Sequence, residues 1–129
     1  MLKAGMTYEV KNDITDERTA KALGSGGYPV AATPYLVLAV ENAAFLLAEA
    51  EMEEGKSTVG TLMTFEHLRA TPVGMATVAK VVLDEVDGKR LEYSFEVSDE
   101  KEVVARGKHQ RFIVETEKFL GKANAKLEK

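Results

Sequence analysis

Cysteine and tryptophan are missing from this chain of 129 residues, and it has only two histidines and three prolines. Without cysteine there is no disulfide framework, no thiolate nucleophile and no cysteine-bound metal, so any chemistry rests on oxygen and imidazole. An excess of basic charge is missing too. Seventeen Lys and Arg stand against 21 Asp and Glu, and the thinly spread lysines argue against a nucleic-acid partner. A membrane-length apolar run is also lacking: MLKAGMTYEV at the start has no apolar core, and the one long apolar stretch is broken by Glu41 and Asn42. The expected location is cytoplasmic. Gly24 to Gly27 matches neither a P-loop nor a dinucleotide fingerprint. His67 and His109 lie far apart with no carboxylate at ligand spacing, which falls short of a zinc site. Neither a metal nor a cofactor is expected.

What is present is the composition of an ordinary globular protein, 45% hydrophobic and 29% charged, and no linker-like segment divides residues 1–129, so one domain is expected. Met6 to Ile14 reads as a short strand, and Thr15 to Lys21 as an exposed helical turn. Three glycines in Gly24-Ser25-Gly26-Gly27 predict a mobile loop. Val30 to Ala48, VAATPYLVLAVENAAFLLA, then predicts a long helix with Thr33 as N-cap and Pro34 at its first position, running to Glu53 or Glu54 before Gly55. Because it is apolar on nearly every face as far as Leu47, the helix is expected to be enclosed. Four strands are predicted after it: Ser57 to Arg69, Ala76 to Val86, Arg90 to Ser98 and Glu102 to Val114. Asp87-Gly88 and Ser98 to Lys101 supply hairpin turns. A charged tail from Glu115 reads as a short helix with Phe119 packed down. A strand, a buried helix and four antiparallel strands make an α+β pattern, in which a curled sheet wraps around one long central helix: the hotdog fold.

Glu41 is the misfit in that helix, since a carboxylate is rarely buried without a partner. Apolar surroundings disfavour its ionised form and suit it to accepting or sharing a proton. His67 is the expected companion: strand alternation puts Thr61, Met63, Phe65 and His67 on one helix-facing row, where a carboxylate would fix the imidazole tautomer. Thr33 and Glu41 are separated by roughly 12 Å along the helix axis. A common site therefore needs substrate, water or His67 between them, or a second subunit. The structural alternatives are a satisfied core histidine at His67, a Glu41 paired with Arg69 or Arg111, and a plain helix cap at Thr33. Helix-start amides and the Gly60 N–H are candidate oxyanion donors. Arg106 to Arg111 reads as a basic stretch, with His109 on a solvated strand and Arg111 contacting phosphate.

Val30-Ala31-Ala32-Thr33 followed by Glu41, Gly60-Thr61 through His67, Ala70-Thr71-Pro72-Val73-Gly74, Gly107-Lys108-His109-Gln110-Arg111 and Glu117-Lys118-Phe119 together resemble the fluoroacetyl-CoA thioesterase family of hotdog proteins, over nearly the whole chain. The resemblance implies hydrolysis of an acyl-CoA thioester to a carboxylic acid and free CoA. It matches Thr33, Glu41 and His67 to the family's catalytic residues, Gly60 to the glycine near the thioester carbonyl, and Arg111 to the arginine lining the site. It also implies a homodimer through edge-to-edge sheet pairing, with a dimer of dimers as the extension. Where the fluoroacetyl-specific enzyme carries lid phenylalanines, this chain has Gly24 to Gly27. The rival function is a module that binds acyl-CoA or another acyl ligand without turnover.

Overall fold

The computed structural model describes residues 1–128. Alternation of apolar and polar residues generates the sheet. In β4 (Arg90–Ser98), Leu91, Tyr93, Phe95 and Val97 are buried while the intervening residues face outward. It is flanked by β3 (Ala76–Asp87) and β5 (Val103–Glu115), with β1 (Thr7–Asp13) and β2 (Lys56–His67) at the two edges, all antiparallel in the order β1-β3-β4-β5-β2. The β3–β4 hairpin closes through Gly88 at φ 62°, the left-handed value that its tight turn requires. The next hairpin is held by Asp99, which accepts from the Lys101 and Glu102 amides and from the Thr71 hydroxyl.

Between β1 and β2 run a short helix α1 (Ala20–Leu23), capped by Thr19, and the long helix α2 (Thr33–Glu49). Leu36, Val40, Ala43 and Leu47 form the stripe of α2 that is buried against the sheet. Full burial of Leu36 or Leu47 contributes about 2 kcal/mol each from apolar area. Because α2 touches both edge strands as well as β3 and β4, the sheet curls around it. This is the expected hotdog fold, with one correction. The helix is covered on one side only. Leu38 is 56% exposed and Asn42 is exposed, whereas Glu41 and Phe45 are half-buried.

Other expectations shift at the element ends. Ala32, not Thr33, is the N-cap, and the helix stops at Glu49 rather than Glu53; Gly55, at φ 85°, turns the chain into β2 instead. The tail helix α3 (Thr116–Asn124) forms, but Phe119 is 41% exposed and not packed down. The strands keep their expected places within two residues. On the sheet's outer side, the register lines up Glu9, Lys80, Glu96, Arg106 and Glu66 in one row across all five strands, alternating in charge at every step. Such opposite-charge neighbours contribute a few tenths of a kcal/mol per pair.

Candidate functional site

The start of α2 and the end of β2 meet at a hydrogen bond of 2.7 Å between Thr33 Oγ1 and His67 Nδ1. Thr33 is free to make it because its hydroxyl caps no helix amide: the Tyr35 and Leu36 amides donate to the Ala32 carbonyl, and Pro34 carries no N–H. Phe65 packs edge-on to the His67 ring and stacks on Phe95, which fixes the imidazole from the core side. Burial lowers the His67 pKa from its ordinary value, with the Arg69 backbone opposing, so the neutral ring is favoured. The other ring nitrogen, Nε2, is buried and makes no hydrogen bond among the described residues. The Arg69 backbone therefore lies near the ring without satisfying that nitrogen.

Glu41 is not beside this pair. It faces a second polar group, eight residues along the helix and seven back along β2. A methyl group built on Gly60 would come 3.2 Å from Glu41 Oε2, 3.3 Å from His109 Cε1 and 3.4 Å from Arg111 Nη1. The missing side chain thus leaves a small notch bounded by a carboxylate, an imidazole and a guanidinium. A β-bulge between Gly60 and Leu62 makes it. Ahead of the bulge Thr58 and Gly60 point inward; past it Met63, Phe65 and His67 do. Thr61, expected on the inner row, is the extra residue, and its hydroxyl bonds Gln110 instead.

Arg111 and His109 also depart from expectation. They are 6% and 2% exposed, on the inner face of β5, so the solvated-strand reading of His109 and the phosphate-contact reading of Arg111 do not hold. Arg111 donates from Nε to the Thr58 hydroxyl at 2.9 Å, from Nη2 to the Thr58 carbonyl at 3.0 Å and from Nη1 toward His109 Nε2 at 3.2 Å. Its pKa is lowered by burial, opposed by Tyr93, Glu41 and Glu49, and a guanidinium stays charged. Arg69, the other suggested partner for Glu41, pairs with Glu102. His109 is the residue that the sequence reading passed over. Its one available signal was the period of two from Arg111, which puts both side chains on the same face.

The two polar groups open toward the uncovered side of α2. A cavity of about 600 Å³ lies elsewhere, over the outer side of the sheet among Lys80, Ser94, Arg106 and Lys108, and touches neither Thr33 nor Glu41. Among the described residues no set of three or more His, Asp or Glu is arranged to hold a metal, and no helix is long and apolar enough to cross a membrane.

A family model described as fluoroacetyl-CoA-specific thioesterase matches residues 14–117. A fluoroacetyl-CoA thioesterase from Streptantibioticus cattleyicolor is 30% identical over 97 residues, 75% of this chain and 70% of that protein. A solved structure of a fluoroacetyl-CoA thioesterase superposes with a TM-score of 0.91 at 25% identity, over 98% of both chains. A Thermus thermophilus thioesterase superfamily member superposes equally well, at 0.91, with 22% identity over 98% of this chain and 93% of that one.

Proposed function

The chain belongs to the fluoroacetyl-CoA-specific thioesterase family, and from that premise we propose that it hydrolyses acyl-CoA thioesters to a carboxylic acid and free CoA, using Thr33, His67 and Glu41. The observation that carries this reading is the buried, unpartnered Nε2 of His67. If Nδ1 accepts the Thr33 hydroxyl proton, Nε2 holds the ring's other hydrogen, and a buried N–H without an acceptor costs about 1–3 kcal/mol. A carboxylate is the acceptor that would relieve it and would stabilise the imidazolium formed during reaction.

Glu41 of the same chain sits at the Gly60 notch instead. The acceptor proposed is Glu41 from a second copy. Two features favour such a homodimer: β2 is an edge strand with one side unpaired, and the half-open face of α2 with Leu38 and Phe45 borders the polar groups. In the dimer each site would take Thr33 and His67 from one copy, and Glu41, Gly60 and Arg111 from the other.

The steps follow from the geometry. Thr33 Oγ1 attacks the thioester carbonyl as its proton passes to His67 Nδ1; the tetrahedral oxyanion is held by the Gly60 N–H and the Thr33 N–H. Collapse breaks the C–S bond, and His67 returns the proton to the CoA thiolate. Water, activated by the same imidazole, then releases the acid and restores the threonine. The loop from Gly24 to Gly27 is exposed and has no ring to close over the acyl group, so the activity is assigned to acyl-CoA thioesters as a class. The test is free-thiol release from acetyl-, longer acyl- and aryl-CoA. Turnover that falls at least a hundredfold in Thr33→Ala and His67→Ala is expected. Stoichiometric binding without thiol release would replace hydrolysis by the binding-module reading, and undiminished turnover in both variants would discard the site.

A further inference from the structure

His109 is buried, neutral by preference and untouched by the steps above, yet it bonds β2 and a neighbour on its own strand β5 beside the Gly60 notch and reaches α2 through Tyr93 of β4. Its Nδ1–H donates to the Leu62 carbonyl at 2.8 Å, the carbonyl that the bulge turns inward. That bond leaves Nε2 as the acceptor for Arg111 Nη1 at 3.2 Å. The ring stacks on Tyr93 with centroids 5.9 Å apart, and the Tyr93 hydroxyl donates to the Ala44 carbonyl at 3.1 Å, one turn beyond Glu41 on α2. A single tautomer therefore links the bulge of β2, the guanidinium on β5 and the turn of helix that carries Glu41.

We infer that His109 is a positioning residue: in its Nδ1-protonated form it fixes the Arg111 guanidinium beside Gly60, opposite Glu41, so that Arg111 presents an N–H to the reacting end of the substrate. Arg111 uses Nε and one Nη2 hydrogen on Thr58 and one Nη1 hydrogen on His109, which leaves N–H groups facing the notch. Without the His109 acceptor, Nη1 loses its in-plane restraint and the fork can rotate toward Glu41. The charges facing the imidazole fit a neutral ring: Arg111 on β5 opposes a second cation, Glu41 on α2 is the nearest carboxylate, and Tyr93 on β4 carries none. β2 supplies only the Leu62 carbonyl.

The activity part of this inference rests on the thioesterase reading; the structural part does not. Two substitutions separate the two halves of the imidazole. His109→Gln can place a carbonyl oxygen where Nε2 lies and keep Arg111, whereas His109→Asn can reach the Leu62 carbonyl and leaves Arg111 without an acceptor. The Arg111 Nε–H resonance is expected to stay sharp in wild type and His109→Gln and to broaden in His109→Asn. Turnover is expected to fall about tenfold in His109→Asn, in kcat more than in KM, the loss of one buried hydrogen bond, with His109→Gln recovering most of it. A residue that only fills space would give equal losses in both and an unchanged Arg111 signal, which would overturn the inference. Should both variants fail to fold, nitrogen-15 shifts of His109 in the wild-type protein at neutral pH decide it: the Nδ1–H tautomer supports the inference, and an Nε2–H tautomer or a charged ring overturns it. Absence of thiol release by the wild type would remove the thioesterase reading and leave the resonance result standing.

Discussion

Gly60 and Gly107 lie on adjacent strands, and a methyl group has different consequences at each. At Gly60 it meets three side-chain atoms at 3.2–3.4 Å, all at the ends of side chains that can give a little. Gly60→Ala is expected to fold with a loss of about 1 kcal/mol while filling the notch and lowering thiol release by more than tenfold. At Gly107 the methyl overlaps the Thr64 carbonyl oxygen and comes 2.8 Å from Phe95 Cζ. Gly107→Ala must move backbone, so a loss of about 3 kcal/mol or more is expected in denaturant unfolding. Equal effects of the two substitutions on activity and stability would refute the distinction. The pH profile belongs to the same scale. Activity needs neutral His67, and burial sets its pKa below the ordinary 6.5. The proposed Glu41 of a second copy at Nε2 would raise it again, so the His67 titration is expected at lower pH in Glu41→Gln than in wild type, and an unmoved titration would mean that no carboxylate from a second copy reaches the ring. His109, lowered chiefly by burial as well, adds stability that is fully present above its unfolded pKa and is lost as pH falls through the folded value. Thr33, His67, Gly60 and Glu41 were legible because each breaks a local rule or sits at a helix start. His109 was not, and Arg111 was drawn to the site by the family resemblance rather than by its surroundings: in Arg106 to Arg111 the basic letters run together, and only alternation divides them into an outer set (Arg106, Lys108) and a buried one.

Among the elements, β2 shows what pattern reading misses. Its inner row changes parity at Thr61, so Gly60 and His67 both face α2 although they stand an odd number of positions apart. An inserted residue leaves no mark in hydrophobic alternation, and Thr61 is as compatible with one face as the other. Deletion of Thr61 is expected to restore a continuous ladder that keeps both Gly60 and His67 on the inner face, because six positions then separate them. The deletion variant should keep a strand-rich circular-dichroism spectrum and thiol release; lost activity in a folded variant would show that the bulge does more than accommodate one extra residue. The long helix was read correctly in place but not in length or environment. Its run of apolar letters signalled enclosure, yet Leu38 faces outward and Phe45 is only half-buried in one copy, as apolar residues are where a helix has a partner still to meet. The tail misled in the opposite sense: α3 has the amphipathic spacing of a docked helix and exposes both Phe119 and Leu120.

For the whole molecule, the curled sheet and its single helix followed from the order of patterns alone, because one strand, one apolar helix and four alternating strands leave few ways to bury both. The proposed division of the site between copies was foreshadowed only by a length argument: Thr33 and Glu41 are too far apart on one helix to share a proton. The consequence can be tested by mixing. If Glu41 of one copy completes His67 of the other, equal amounts of Glu41→Gln and His67→Ala protein, each inactive, should regain about one quarter of wild-type turnover after subunit exchange, since half the dimers are mixed and each has one intact site of two. No recovery, with exchange verified by mass, would place the three residues within a single copy.

The row that runs from Glu9 through Lys80, Glu96 and Arg106 to Glu66 has its own consequence. Each of its exposed charges has an opposite charge beside it on the next strand, and salt weakens such exposed pairs. That side of the sheet, remote from Thr33 and Glu41, is thus where ionic strength bears on cohesion between strands without reaching the candidate site.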